Sequence, residues 1–158
     1  VLNMDKFQDA VEVWDNGAVS PFNPPTEDIV VWFEDFFSRT GARKRIATKW
    51  TFQGRAYESR DCPIPIPDNS GLVYPTNDWK KWIVLNPDGT SRFTIEVPKI
   101  SPKSSPENGE IGIPKHMKGQ PAHIMYGEGS DGDRTDCRFF FNMHSGQLER
   151  VELVGRPW

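Results

Sequence analysis

His123 stands in an apolar stretch, Ala122-His123-Ile124-Met125-Tyr126. Strand alternation there would send its imidazole, with Met125, away from the face of Ala122, Ile124 and Tyr126. An imidazole titrates near the working pH range, so on a cavity wall it could act as a general base or a polar anchor, with a carboxylate as acid–base partner. A hydrogen-bonded or solvent-facing structural histidine is the competing reading. His144, beside Ser145-Gly146, reads as a turn residue. His116, between Lys115 and Lys118 in a long irregular segment, matters only if that segment closes over a ligand.

Asp61-Cys62 and Asp136-Cys137 repeat one dipeptide. The two cysteines are either one long-range bridge or two buried thiols, since two are too few for a disulfide framework and too far apart for a zinc knuckle. A bridge would bring the acids close, and paired carboxylates can split their pKa values for acid–base work. Neighbours on a strand point to opposite faces, however, which favours two solvated aspartates. The run Gly127–Asp136, GEGSDGDRTD, offers oxygen ligands in a glycine-rich loop but lacks the EF-hand spacing. It reads as a polar hairpin loop, with no metal. Phosphate-loop, H-E-x-x-H, G-x-S-x-G and dinucleotide motifs are absent, and no cofactor is expected.

The elements that would position these groups follow from periodicity. Met4, Phe7, Val11 and Trp14 fall at helical spacing before Asn16-Gly17, which predicts a short N-terminal helix. Thr26, followed by Glu27 and Asp28, reads as the N-cap of a second helix ending at Gly41. Ile29, Val30, Trp32, Phe33, Phe36 and Phe37 give it an apolar face too broad for a single neighbour, so it is expected to plug a concave sheet or barrel mouth. The period then changes to two. Ile46, Thr48, Trp50 and Phe52 alternate with polar or small residues, and a short strand at 56–60 follows. CPIPIPDNSG, Cys62–Gly71, is a polyproline-like excursion. Residues 79–85 and 91–97 form a hairpin about Asn86-Pro87-Asp88-Gly89, with Phe93, Ile95 and Val97 on its dry face. Residues 98–120 make a long irregular loop of the kind that serves as a lid, a binding loop or disorder. Strands are expected at 122–126, 135–142 and 147–154, the last with mixed parity. In the FFF run, Phe139 and Phe141 share a face with Cys137, and Phe140 lies opposite.

The 158 residues fit one domain, 1–158, of α+β class: two N-terminal helices packed on a strongly curved antiparallel sheet. No motif identifies a family. The order of elements, helices first and then a sheet ending in the hairpin SGQLERVEL, resembles the cone fold of the nuclear-transport-factor-2-like group. That group includes cyclases, isomerases, dehydratases and plain binding proteins. A calycin-like barrel, which carries hydrophobic ligands, is similar too and better accommodates CPIPIPDNSG where the cone fold has a third helix.

Six Trp and ten Phe are many for this length. Aromatics bury roughly 150–250 Å² each, so they either fill one core or wall a cavity. The second reading assigns Trp50, Phe52, Trp82, Phe93, Phe139, Phe141, Phe33 and Phe37 to a pocket for a small hydrophobic or aromatic molecule, with His123 as the acid–base residue. Whether the chain is an enzyme stays open. The rival is a non-enzymatic accessory or interaction protein that docks through its proline-rich loops; a filled core would favour it. A net charge of −3 without a basic stripe argues against nucleic acid. No apolar run approaches the roughly 20 residues of a membrane-spanning helix. The chain does not begin with Met, which suits a mature or trimmed form. A Cys62–Cys137 bridge would imply a secreted or lumenal protein, and free thiols a cytoplasmic one. Oligomeric state is not legible.

Overall fold

In the computed structural model, which describes residues 5–22, 24, 26–66, 68–77, 81–96, 110–112, 123–129 and 135–155, the segment expected as the first helix is a strand. Strand β1 (Gln8–Trp14) pairs antiparallel with β2 (Val19–Pro21) and with β3 (Arg45–Phe52). The β1–β3 register has two irregularities, and the one that lies in β1 contributes to the helical spacing. One shift, between Gln8 and Val11, adds a residue to β1 at Asp9, whose φ is 54°. The other, between Val13 and Trp14, leaves Ile46 of β3 without an opposite number. A bulge resets side-chain parity. Adjacent Val13 and Trp14 point to opposite faces and are both buried, so burial on both sides, together with the extra residue at Asp9, gives the strand odd spacings. Stiff β-branched Val11 and Val13 suit the extended backbone. Gly17, expected as a helix cap, instead takes φ 82° in the β1–β2 hairpin turn, where Trp14 and Ala18 close a backbone hydrogen bond of 2.9 Å.

The second expected helix is present as α1 (Ile29–Thr40). Its N-cap is Asp28 rather than Thr26: Asp28 Oδ1 accepts from the Val31 amide at 3.1 Å. Thr26 stands one turn earlier, its hydroxyl accepting from the Asp28 amide. At the other end the Gly41 amide donates to the Phe37 carbonyl at 2.9 Å. The helix does not plug a barrel. It lays Phe36 against Trp14 and Ala42, with Ala18, Trp32 and Phe33 around them. No closed or strongly curled sheet exists among the described residues, so the cone-like and calycin-like expectations fail together.

Three four-stranded antiparallel sheets stand in their place. The first runs β2-β1-β3-β4, with β4 at Arg55–Ser59. The second is formed by β5 (Ile64–Pro65), β6 (Leu72–Pro75), β7 (Lys81–Leu85) and β8 (Ser91–Glu96), in that order. The third contains β9 (Glu110–Gly112), β10 (His123–Gly129), β11 (Thr135–Asn142) and β12 (Leu148–Gly155), ordered β12-β11-β10-β9.

The second sheet is the middle layer. Val73, Trp82, Val84 and Ile95 pack on Phe139, Phe141 and Met143 of the third sheet and its turn, with Phe93 at the margin. Leu72 and Leu85 point the other way, against Phe7 and Trp50 of the first sheet, with Tyr74 and Ile83 beside them. Leu72↔Leu85 and Val73↔Val84 are cross-strand pairs, so successive rows go to opposite layers. This explains why β6 and β7 read as nearly continuous apolar runs: both of their faces are covered. β8 keeps one wet side, since Arg92, Thr94 and Glu96 lie opposite Phe93 and Ile95.

The loop into β6 passes close to the middle layer. A Cβ on Gly71 would meet the Leu85 carbonyl and, at 3.0 Å, the Arg92 guanidinium. Gly71→Ala is therefore expected to cost about 1–3 kcal/mol through forced displacement of β7. Equilibrium urea denaturation measures it, and an unchanged midpoint would contradict the close approach.

Candidate functional site

The eight aromatics expected to wall one cavity are distributed over three places. Trp82, Phe93, Phe139 and Phe141 meet in the core between the second and third sheets. The Trp82 and Phe141 rings stand edge to face with centroids 6.0 Å apart. Trp50 and Phe52 belong to the core between the first and second sheets. Trp50 stacks on Tyr57 with centroids 5.7 Å apart, and its indole nitrogen donates to the Pro87 carbonyl at 2.7 Å. Phe33 lies at the edge of the α1 cluster, and Phe37 is 36% exposed. His123 heads β10 opposite Asn142; its side chain lies outside the described residues, as do His116, the side chain of Cys137 and most of GEGSDGDRTD. Loop 98–120 lies outside them too, apart from β9.

The outer side of α1 is the first surface feature that stands out. Val30 is 68% exposed and Val31 56%, and with Phe37 they sit among Glu27, Glu34 and Asp35. At 100° per residue Val30, Val31, Glu34, Asp35 and Phe37 fall on one arc of the helix, opposite Phe36, while Glu27 stands just before the N-cap. Asp35 and Arg39 form an exposed ion pair at 3.6 Å. The sequence carried the signal: an apolar face broader than one neighbour can cover leaves a remainder in solvent.

A second feature is a polar cluster that sequence reasoning missed. Arg92 reaches three segments, donating to the Asn86 side chain at 2.9 Å, the Met143 carbonyl at 2.9 Å and the Ser70 carbonyl. It thereby ties the β7–β8 turn, the β11–β12 turn and the loop before β6 together. Beside it, His144 Nε2 lies 3.3 Å from Asp68 Oδ2. Burial pushes the Asp68 carboxyl up, but hydrogen bonds from Ser70 and the charge of His144 outweigh that and hold it below its ordinary value of 3.8. Burial lowers the Arg92 guanidinium, and Asp68 opposes that shift. The histidine–aspartate pair has the elements of a general base with an orienting acid. Yet among the described residues no hydroxyl or thiol is hydrogen-bonded to the imidazole, so the arrangement works as a clasp between loops. The signal in the sequence was slight: Arg92 is one wet-face residue in a hairpin, and Asp68 one turn residue.

A recess of about 390 Å³ opens on the first sheet between Asp9, Lys49, Thr51, Ala56 and Glu58. It is a shallow, solvent-facing depression with charges of both signs. No group of three or more metal-ligating side chains occurs among the described residues. Cys62 is a free thiol, its Sγ 3.6 Å from the Arg60 carbonyl, so the Cys62–Cys137 bridge is not formed. Among the described residues no helix is long and apolar enough to cross a membrane.

No family model matches the chain, and no curated protein matches it. One solved structure is similar in fold: a chain from the structure of Tne2 in complex with Tni2. The TM-score is 0.61 at 13% identity, over 94% of this chain and 99% of the other. At that identity the likeness concerns the fold alone.

Two outcomes follow from the clasp and the thiol. Asp68 has a lowered carboxyl pKa in the folded protein, so its contribution to stability is complete above its ordinary value and fades as pH falls through the folded value. Asp68→Asn should lower the denaturation midpoint at neutral pH, with the gap from wild type closing as pH falls through the titration of the folded carboxyl. A gap constant from acid to neutral pH would contradict the role of the ionised carboxylate. Native protein without reductant should take up alkylating reagent at Cys62, read by peptide mass. Full protection that reductant abolishes would reinstate the bridge.

Proposed function

We propose that this chain is a protein-binding module that docks a partner through the outer face of α1. The observation that carries the reading is the exposed arc of Val30, Val31 and Phe37 among Glu27, Glu34 and Asp35. Apolar side chains on a helix face supply the area an interface core needs, and the surrounding carboxylates select what can approach. The complement is a protein surface with apolar residues ringed by Lys or Arg. Two further observations support docking over enclosure of a small molecule. Trp82, Phe139 and Phe141 are packed against one another in one buried cluster, with Trp50 in another. The similar fold also comes from a structure in which two proteins are in complex. The rival reading, a cavity for a hydrophobic compound with His123 as acid–base residue, draws no support from these packed aromatics.

The test uses the intact chain and a partner obtained in pure form by co-purification from the source cells. Wild type should form a stoichiometric complex by light scattering, weakened as salt rises. Val30→Glu combined with Val31→Glu should raise the dissociation constant at least tenfold while leaving the circular dichroism unchanged. A stoichiometric complex indifferent to these substitutions would overturn the α1 assignment. Saturable binding of an apolar fluorophore at one site, quenching the tryptophans, would favour the small-molecule reading instead.

A further inference from the structure

Trp14 lies against α1 and carries a polar atom that the packing has to satisfy. Its ring meets Phe37 edge to face with centroids 5.0 Å apart, and stands 6.0 Å from Phe36. The residue is buried, and a buried indole N–H needs an acceptor. Ser20, fully buried on β2, supplies it: Trp14 Nε1 donates to Ser20 Oγ at 2.9 Å. The Ser20 hydroxyl donates in turn to Glu12 Oε2 at 3.1 Å, and Glu12 Oε1 accepts from Arg45 Nη1 at 2.9 Å.

The register brings these four side chains to one face of the first sheet. Glu12 is opposite Ser20, Trp14 is opposite Arg45, and residues 12 and 14 share a face by alternation. The chemistry of each group then gives the chain of bonds a single sense. Guanidinium and indole only donate and an ionised carboxylate only accepts, so the hydroxyl alone can turn either way. Glu12 takes the Ser20 proton, which leaves a Ser20 lone pair for Trp14. The same hairpin also holds the end of α1, since Asn16 Nδ2 donates to the Thr40 carbonyl at 2.7 Å.

We propose that Glu12 is the positioning residue of the α1 docking face, acting through Ser20 on the Trp14 indole. This inference rests on the docking reading of α1. An indole without the Ser20 acceptor is free to turn about its side-chain bonds and lose its edge contact with Phe37, a member of the exposed arc. The far end of the chain of bonds is anchored by the ion pair of Glu12 and Arg45, whose side chains are 13% and 31% exposed. At that depth a carboxylate without its guanidinium would carry a desolvation cost, so the pair holds Glu12 in one place. Glu12, Ser20 and Arg45 are themselves no part of the exposed arc, and their effect on docking is indirect.

The indole N–H resonances of the free chain test the bonds, and affinity for the co-purified partner tests their link to docking. Glu12→Gln should shift the Trp14 indole resonance, although Ser20 stands between the two side chains. Ser20→Ala should shift it further, speed its hydrogen exchange, and raise the dissociation constant about fivefold, the equivalent of one hydrogen bond. Asp68→Asn, which weakens the fold at the separate clasp, should move neither readout. Glu12→Gln keeps the side-chain volume, so the test survives if Ser20→Ala does not fold. A Trp14 resonance unmoved in folded Glu12→Gln would overturn the proposal. So would unchanged affinity in both variants while Val30→Glu with Val31→Glu loses binding. Normal binding by that double variant would instead sink the docking reading, with the resonance shifts left intact.

Discussion

The burial of both faces of the sheet β5–β8 governs the arrangement of the rest of the chain. Leu72 and Leu85 must go to one neighbouring layer while Val73, Val84 and Trp82 go to the other. A slip of one residue in that register would exchange the two sets, sending Trp82 into the space that fits leucines. The pairs Leu72↔Leu85 and Val73↔Val84 therefore have to be held in place from outside the strands. Arg92 contributes to this, because its guanidinium holds the loop before β6 and the two neighbouring turns. Leaving that guanidinium half-buried without its carbonyl partners would carry a desolvation cost, so the cluster favours one register over its neighbours. The polar clasp and the apolar sandwich thus depend on each other.

This packing also decides which parts of the architecture could be read from the sequence. The helix α1 was legible because its periodicity and its terminal glycine agreed on one helix ending before Gly41, though the N-cap moved from Thr26 to Asp28. The β7–β8 hairpin was legible through its turn chemistry, and β10, β11 and β12 through runs of strand-forming residues. The first strand was not, because an extra residue at Asp9 and burial of both Val13 and Trp14 broke the period of two. β6 escaped notice because Leu72 and Val73 show no alternation when both sides of a sheet are dry. The partition into three sheets depends on which rows face each other across layers, and nothing local in the chain encodes that. Of the candidate aromatics, Trp50, Phe52, Trp82, Phe93, Phe139 and Phe141 lie on strands as expected, and Phe33 and Phe37 on α1. Their assembly into a single wall was an inference from number, and the structure divides them among three clusters.

The large aromatic side chains are divided among three packed clusters. On the outside, the arc of α1 departs from the ordinary solvated pattern, because Val30, Val31 and Phe37 stand in solvent beside acidic residues. Under the docking reading proposed above, those acids would set a charge preference in the partner.

The core between the second and third sheets draws its two halves from distant parts of the chain. Val73, Trp82, Val84 and Ile95 are translated before Phe139, Phe141 and Met143, which form the opposing wall. As the chain leaves the ribosome, the second sheet is therefore complete while one of its faces is still bare. A nascent chain in that interval displays a tryptophan and several aliphatic side chains to solvent, and such transient surfaces attract chaperones and promote aggregation. Closure waits on long-range contacts, which are slow to form. The same layered burial that fixes the finished register therefore makes late synthesis the vulnerable stage in the life of this molecule.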